Sequence, residues 1–386
     1  MAKYFFLLLI LFSFFANADK INKNASPMKV GLTTLYTDNF NPTLIDKENT
    51  SLIKLFANGE LVSINDELWL QAKYSGQYIK TDNKDSASET NSFTQGDVSL
   101  LGRLYLQPNF YINTSLEYKH ENELFGSGLS KLRHHVVNAD KYNQTNFLIA
   151  GTYGAASEDR TISLSYQQSD KKYSAINFYS QLFSLLQKKL SLKTKFKLSA
   201  NTQFVALIEL QKDNYDSLLR EDSDKQQIML GMDWQTSGIS TFSFLLGKYQ
   251  RTPENTDKST GLVWKLSYQY APRDDFQVDL LSSQTSIAGQ SEVASNSELQ
   301  AWQARLNYLY SKQWTYYARA SFEKTLFQEP LKDHTLKNKF IELGVSYNIH
   351  NYHKIQLIVT NRDVTDSNGS IDYRQNEVGV HWLYDF

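Results

Sequence analysis

The last ten residues, Glu377 to Phe386 (EVGVHWLYDF), restrict the fold more than any other stretch of the chain. Counting back by twos from Phe386 meets Tyr384, Trp382, Val380 and Val378, while Asp385, Leu383, His381, Gly379 and Glu377 fill the alternate positions. Side chains alternate between two faces along a strand, so this segment is a strand with one apolar, aromatic surface and one mostly polar surface. On a soluble protein it would leave an adhesive edge of unpaired backbone groups. A barrel closed on itself within a membrane has no edge, because every strand has two neighbours. The end of the chain therefore points to a transmembrane antiparallel β-barrel, an all-β fold.

The start of the chain agrees. Lys3 precedes an unbroken apolar run from Tyr4 to Phe15, and Ala16-Asn17-Ala18 follows before Asp19. The run falls short of the ~20 residues that a spanning helix needs, and it ends in a small-x-small cleavage pattern. We expect residues 1–18 to be a signal peptide cut after Ala18, and residues 19–386 to form one barrel domain. The chain has no cysteine, which excludes a lipid-attachment cysteine and is compatible with an oxidising compartment.

Between the two ends, alternating segments recur about every twenty residues, the weak per-segment pattern of a membrane barrel. Val30, Leu32, Thr34 and Tyr36 open the series, and Leu68, Leu70, Ala72 and Tyr74 continue it. Val98 to Leu106 leads through Pro108-Asn109 into Phe110, Ile112, Thr114, Leu116 and Tyr118. Short turns fall at 155–159, 199–202, 237–240, 272–275, 311–313 and 350–353; longer polar loops fall at 81–91, 122–138, 214–222, 287–296 and 328–335. This alternation predicts a barrel of about 18 strands (16–18), with short periplasmic turns, longer extracellular loops and both chain ends in the periplasm. Tyr173 to Lys189 fits neither period; it is expected to be an extracellular excursion, with a short helix at the pore or a mis-registered strand as the two readings. Trp264, Tyr268, Tyr270, Tyr308, Tyr310, Trp314 and Tyr316 have the spacing of an interfacial aromatic girdle.

If the apolar parity faces lipid, the opposite parity lines the lumen. It carries Arg103, Lys193, Lys195, Arg305, Arg319 and Arg362, the carboxylates Glu117, Glu323 and Glu342, and the rings of Tyr105 and Tyr317. A charge at mid-depth on the lipid face costs about 2–4 kcal/mol for Arg or Lys, so this segregation supports the assignment of faces. These groups are candidates for a substrate path, and inter-strand ion pairing is the competing role. The net charge of −1 disfavours a nucleic-acid partner. The seven histidines fall mostly in loops and turns, none beside a Ser or Asp that would build a triad, so neither an enzyme nor a metal or other cofactor is expected.

Several local patterns resemble the β-barrel porin family of extracellular polysaccharide and capsule gene clusters in Gram-negative bacteria. They are Tyr36-Thr37-Asp38-Asn39 after the first strand, Pro272-Arg273 at a turn, and Arg362, Asp366-Ser367-Asn368, Tyr373 and Asn376 before the last strand. The terminal Trp382, Tyr384 and Phe386 also resemble the C-terminal signal that the barrel assembly machinery reads in outer-membrane proteins. The resemblance implies a cell outer membrane location among lipid and lipopolysaccharide, and export of an extracellular or capsular polysaccharide with a periplasmic polysaccharide-export protein. The residues alone leave two alternatives open, a general or small-solute diffusion porin and a structural or adhesive barrel with a closed lumen.

Overall fold

The structure, a computed structural model, describes residues 28–42, 49–65, 67–82, 92–123, 125, 127–129, 133, 136, 138–154, 159–174, 177–289, 296–329, 333–350, 352–369 and 372–385. The expected signal peptide and Phe386 lie outside the described residues.

Alternating sequence becomes strand after strand: β1 (Lys29–Thr37), β2 (Thr50–Ile64), β3 (Leu68–Thr81), β4 (Ser92–Gln107), β5 (Phe110–Glu123) and β6 (Asp140–Tyr153). β7 (Arg160–Tyr173) leads into a single helical turn, α1 (Phe178–Gln181), and then β8 (Leu185–Ser199), β9 (Thr202–Tyr215), β10 (Ser223–Ser237), β11 (Ser240–Pro253) and β12 (Ser259–Arg273) follow. The series ends with β13 (Phe276–Ala288), β14 (Asn296–Leu309), β15 (Trp314–Gln328), β16 (His334–His350), β17 (His353–Asp366) and β18 (Asp372–Asp385). Each strand pairs antiparallel with the next, and β1 pairs with both β2 and β18, closing an 18-stranded barrel. The 18-stranded expectation holds.

The C-terminal strand closes this ring. Val378, Val380, Trp382 and Tyr384 stand opposite Tyr36, Thr34, Leu32 and Val30 of β1. Directly opposed residues share a face, and this one is the outside of the wall: Leu32, Thr34, Tyr36, Val378, Val380 and Trp382 are exposed, Val30 and Tyr384 partly so. His381 turns the other way, and its Nδ1 lies 3.2 Å from Thr33 Oγ1. At the end with the short turns, rings gather on the outer face: Tyr308 lies 6.5 Å from Tyr316, Trp314 4.7 Å from Tyr347, and His353 4.9 Å from Tyr384. Amphipathic rings at one height form the girdle that a bilayer interface favours.

The two ends of the barrel differ. Connections 108–109, 200–201, 238–239, 274–275 and 351–352 hold two residues each, whereas the opposite end carries 38–49, 82–91, 124–139 and 174–184. Tyr173 to Lys189 is corrected in part: its middle is a connection containing α1, but Tyr173 ends β7 and Leu185 to Lys189 open β8. The segment escaped a periodic assignment because Phe183 and Leu182 pack on inward-facing Tyr173 and Tyr142, a contact that no local period encodes.

Candidate functional site

The inner wall carries the polar parity. Register places Arg103 and Tyr105 on β4, Glu117 on β5, Lys193 and Lys195 on β8, Arg305 on β14, Tyr317, Arg319 and Glu323 on β15, Glu342 on β16 and Arg362 on β17, all on the strand face opposite the lipid-parity residues. They form three groups around the wall instead of one site.

The first group stands on β4 and β5. Arg103 Nε donates to Asn113 Oδ1 at 2.7 Å and its guanidinium lies 4.9 Å from the centre of the Tyr111 ring, which packs 5.9 Å from Tyr105. Glu117 pairs with Lys119 at 3.1 Å and accepts from Asn146 Nδ2 at 2.8 Å. The second group is a row across β13 to β16 in which Asp279, Arg305, Arg319 and Glu342 stand directly opposite one another in turn. Arg305 against Arg319 places like charges face to face, which destabilises a sheet unless counter-charge is near. Arg319 and Arg362 lie 5.8 and 5.7 Å from the Phe340 ring, and Glu323 accepts from Asn338 Nδ2 at 3.4 Å. Tyr317 fills the space left by Gly344 opposite it, since a Cβ there would collide with the ring.

The third group is a column of lysines. Lys189, Lys193, Lys195 and Lys197 share the inner face of β8. Lys195 pairs with Asp233 at 2.6 Å, Lys189 and Lys265 approach Glu209 at 3.9 and 3.8 Å, and Lys193 has no carboxylate within 4.0 Å among the described residues. Positions two apart on a strand are separated by about 6.8 Å, so the column presents a positive charge at nearly every step down this side of the bore.

Above the column the barrel folds in on itself. The β12–β13 ladder runs from Arg273–Phe276 to Trp264–Gln284 and stops there, although both strands continue. Beyond that point Ser286 Oγ accepts from Arg251 Nε at 2.9 Å, and Glu298 Oε1 accepts from the Tyr249 hydroxyl at 2.6 Å. Arg251 and Tyr249 lie on the inner face of β11, so the loop-side ends of β13 and β14 have leaned inside the wall. Gly261 makes room for them: a Cβ there would sit 2.6 Å from the Tyr249 ring and 2.9 Å from Glu298 Oε1. Gln284 Nε2 donates to the Leu262 carbonyl at 3.0 Å, and Tyr215 donates to the Gly289 carbonyl at 3.2 Å, which seals the seam.

Arg251 anchors this fold. It is wholly buried, with Nη1 donating to Asp213 Oδ2 at 2.6 Å and to Ser223 Oγ at 2.7 Å. On the neighbouring side Phe40 packs edge-on against Phe125 at 5.5 Å, within an apolar cluster that joins two loops to inward-facing Leu35, Leu52, Ile79 and Phe93. Asn41 Nδ2 donates to the Val136 carbonyl at 2.7 Å, and Ser180 Oγ and Asn177 Nδ2 both donate to Asp140 Oδ1, at 2.7 and 2.6 Å. Under these infolded segments lies a recess of ≈ 380 Å³, lined in part by Lys171, Lys189, Lys225, Lys265 and Glu209. Among the described residues no three His, Asp or Glu side chains converge as a metal site requires.

The residues of the infold were not anticipated from sequence. One signal was present: Gln284, Ser286, Glu298 and Gln300 are polar yet share the parity of the lipid-facing Leu280 and Trp302. A polar run on the lipid parity marks a hairpin that has left the lipid face.

No family model and no curated protein matches the chain in sequence. Its backbone does match solved barrels. Pseudomonas aeruginosa OpdK, solved with vanillate, aligns at a TM-score of 0.50 and 10% identity over 95% of this chain and 100% of that one. A BenF-like porin from Pseudomonas fluorescens Pf-5 aligns at 0.50 and 13% identity over 94% and 99%. Pseudomonas aeruginosa OccK2 (OpdF), in complex with glucuronate, aligns at 0.50 and 11% identity over 95% and 100%. The exopolysaccharide association expected from the local motifs finds no counterpart among these structures. The chain has the closed 18-stranded antiparallel fold of outer-membrane β-barrel porins.

Proposed function

We propose that this chain is an outer-membrane channel for small anionic solutes. The observation that carries the reading is the β8 lysine column beneath a recess of ≈ 380 Å³, into which Lys225 and Lys265 also open. That volume suits a single small molecule. The infolded ends of β13 and β14, with Phe40 and Phe125 packed together inside the wall, narrow the mouth, which favours a small solute over an extended sugar polymer. Lys171, Lys189, Lys193, Lys195, Lys197, Lys225 and Lys265 outnumber the carboxylates paired with them, Glu123, Glu209 and Asp233, and so raise the local concentration of anions, while sites spaced down the bore stay weak enough to release them. The opposed Arg305 and Arg319 offer a second contact, suited to bidentate binding of a carboxylate. The structural neighbours solved with vanillate and with glucuronate accord with small carboxylates as the solute class.

The test is reconstitution of the barrel in liposomes and planar bilayers. Glucuronate is expected to enter faster than glucose, and a salt gradient should give an anion-selective reversal potential that Lys193→Gln with Lys195→Gln moves toward zero. Equal entry of both sugars with no anion selectivity would refute the reading. Loss of extracellular polysaccharide on deleting the gene, with no small-solute conduction by the purified protein, would favour polysaccharide export with a periplasmic export partner.

A further inference from the structure

The outer wall carries a second charged feature, separate from the lumen. Lys324 on β15 stands directly opposite Lys337 on β16, and Lys339, two residues along on the same face, stands opposite Phe322. Phe322 pairs with Trp302, and Lys339 with Asp363, which itself faces Arg374 on β18. The face is the outer one: Ile341, next in the row after Lys339, is exposed, whereas Phe340 turns inward to Arg319 and Arg362. None of the three lysines has a carboxylate within 4.0 Å among the described residues; the rows of Lys339 and Lys337 carry Asp363 and, opposite Thr365, Asp372, two acids against four cations. A directly opposed Lys–Lys pair with no close counter-ion is unfavourable in a sheet.

Immediately below these lysines, toward the aromatic girdle, lies a groove of ≈ 480 Å³ that reaches Lys339. The directly paired Ala304 and Ala320 form its floor, and Leu280, Trp302, Phe322 and Ile341 form its sides. Two small residues among large ones on a lipid-facing wall leave a trough that a flexible hydrocarbon chain fills. Cations sit at the loop end of that trough, at the height where the apolar band of β16 gives way to Lys339 and Lys337.

We propose that this surface binds one phosphorylated lipid of the surrounding outer leaflet, with its phosphate between Lys324, Lys337 and Lys339 and an acyl chain in the Ala304–Ala320 trough. The phosphate supplies the counter-charge that the lysine pair lacks, and the chain covers apolar surface that looser lipid packing leaves uneven. The proposal rests on the outer-membrane placement above, but on none of the lumen residues.

The experiment is binding of defined lipids to the purified barrel in neutral detergent, measured by native mass spectrometry. The probes are lipid A with two phosphates, the same lipid with both phosphates removed, and inorganic phosphate. Lipid A is expected to bind the wild-type barrel about ten-fold more tightly than its dephosphorylated form, since charge-assisted contacts are at stake. K324Q/K337Q/K339Q should lose that preference; K80Q/K212Q/K248Q, which alters outer-face lysines elsewhere, should keep it. Ala320→Trp, which fills the trough, should weaken both lipids. Strand-rich circular dichroism verifies that each variant is folded. Unchanged lipid A binding in the triple lysine variant, equal binding of the dephosphorylated lipid, or full competition by inorganic phosphate would each overturn the proposal. Because binding is read without conduction, failure of the anion-channel reading leaves these outcomes untouched, and the reverse holds for liposome entry.

Discussion

Replacing Arg251 with Met tests whether the infolded hairpin is held by a buried charge. Arg251 and Asp213 are both wholly buried, and the guanidinium joins β9, β10 and β13 through Asp213, Ser223 and Ser286. With Arg251 gone, Asp213 keeps the amide donors of Gln187 at 2.9 Å and Gln211 at 2.9 and 3.0 Å but loses its only ion-pair partner among the described residues. Removing one partner of a buried pair costs about 3–5 kcal/mol, because the remaining charge is left uncompensated in a poorly solvated site. Replacing both partners with apolar groups of similar volume is often close to neutral, so Arg251→Met with Asp213→Leu is expected to regain most of the loss. Urea unfolding of the purified barrel in lipid, followed by tryptophan fluorescence, measures both variants. Single-channel recording reports on the hairpin at the same time: without the Arg251–Ser286 bond the loop-side end of β13 is freer to leave the lumen, so both variants should conduct more than the wild type. A loss below about 1 kcal/mol for Arg251→Met, the level of an exposed pair, together with unchanged conductance would refute the clamp.

Gly261→Val should displace Glu298 and the Tyr249 ring and raise conductance without loss of the barrel; unchanged conductance would mean that the start of β14 is seated some other way. Gly344→Ala should cost on the order of 1–3 kcal/mol in the same unfolding assay, since Tyr317 must leave the place it fills. Deleting Phe386 should lower outer-membrane levels far more than Asp385→Asn, which breaks the half-exposed Lys29–Asp385 pair at 2.9 Å; equal levels in fractionated membranes would count against a terminal assembly signal.

The barrel itself was legible in the chain, because strand alternation is a local property and lipid imposes it on every strand in turn. Val378, Val380, Trp382 and Tyr384 declared the outer face, and the register with β1 places them there. Inward parity likewise identified Arg103, Lys193, Arg305, Arg319 and Arg362 one strand at a time. What alternation does not carry is which inward groups meet: Arg305 stands against Arg319 only because the register of β14 with β15 sets them opposite. The infold was decided at longer range still. Arg251, Asp213, Ser286 and Glu298 lie on separate strands, and their contacts depend on the β12–β13 ladder ending at Trp264. Periodicity reports which way a side chain points from its own strand; whether that strand lies in the wall or leans across the bore is settled by side chains from strands far away in sequence.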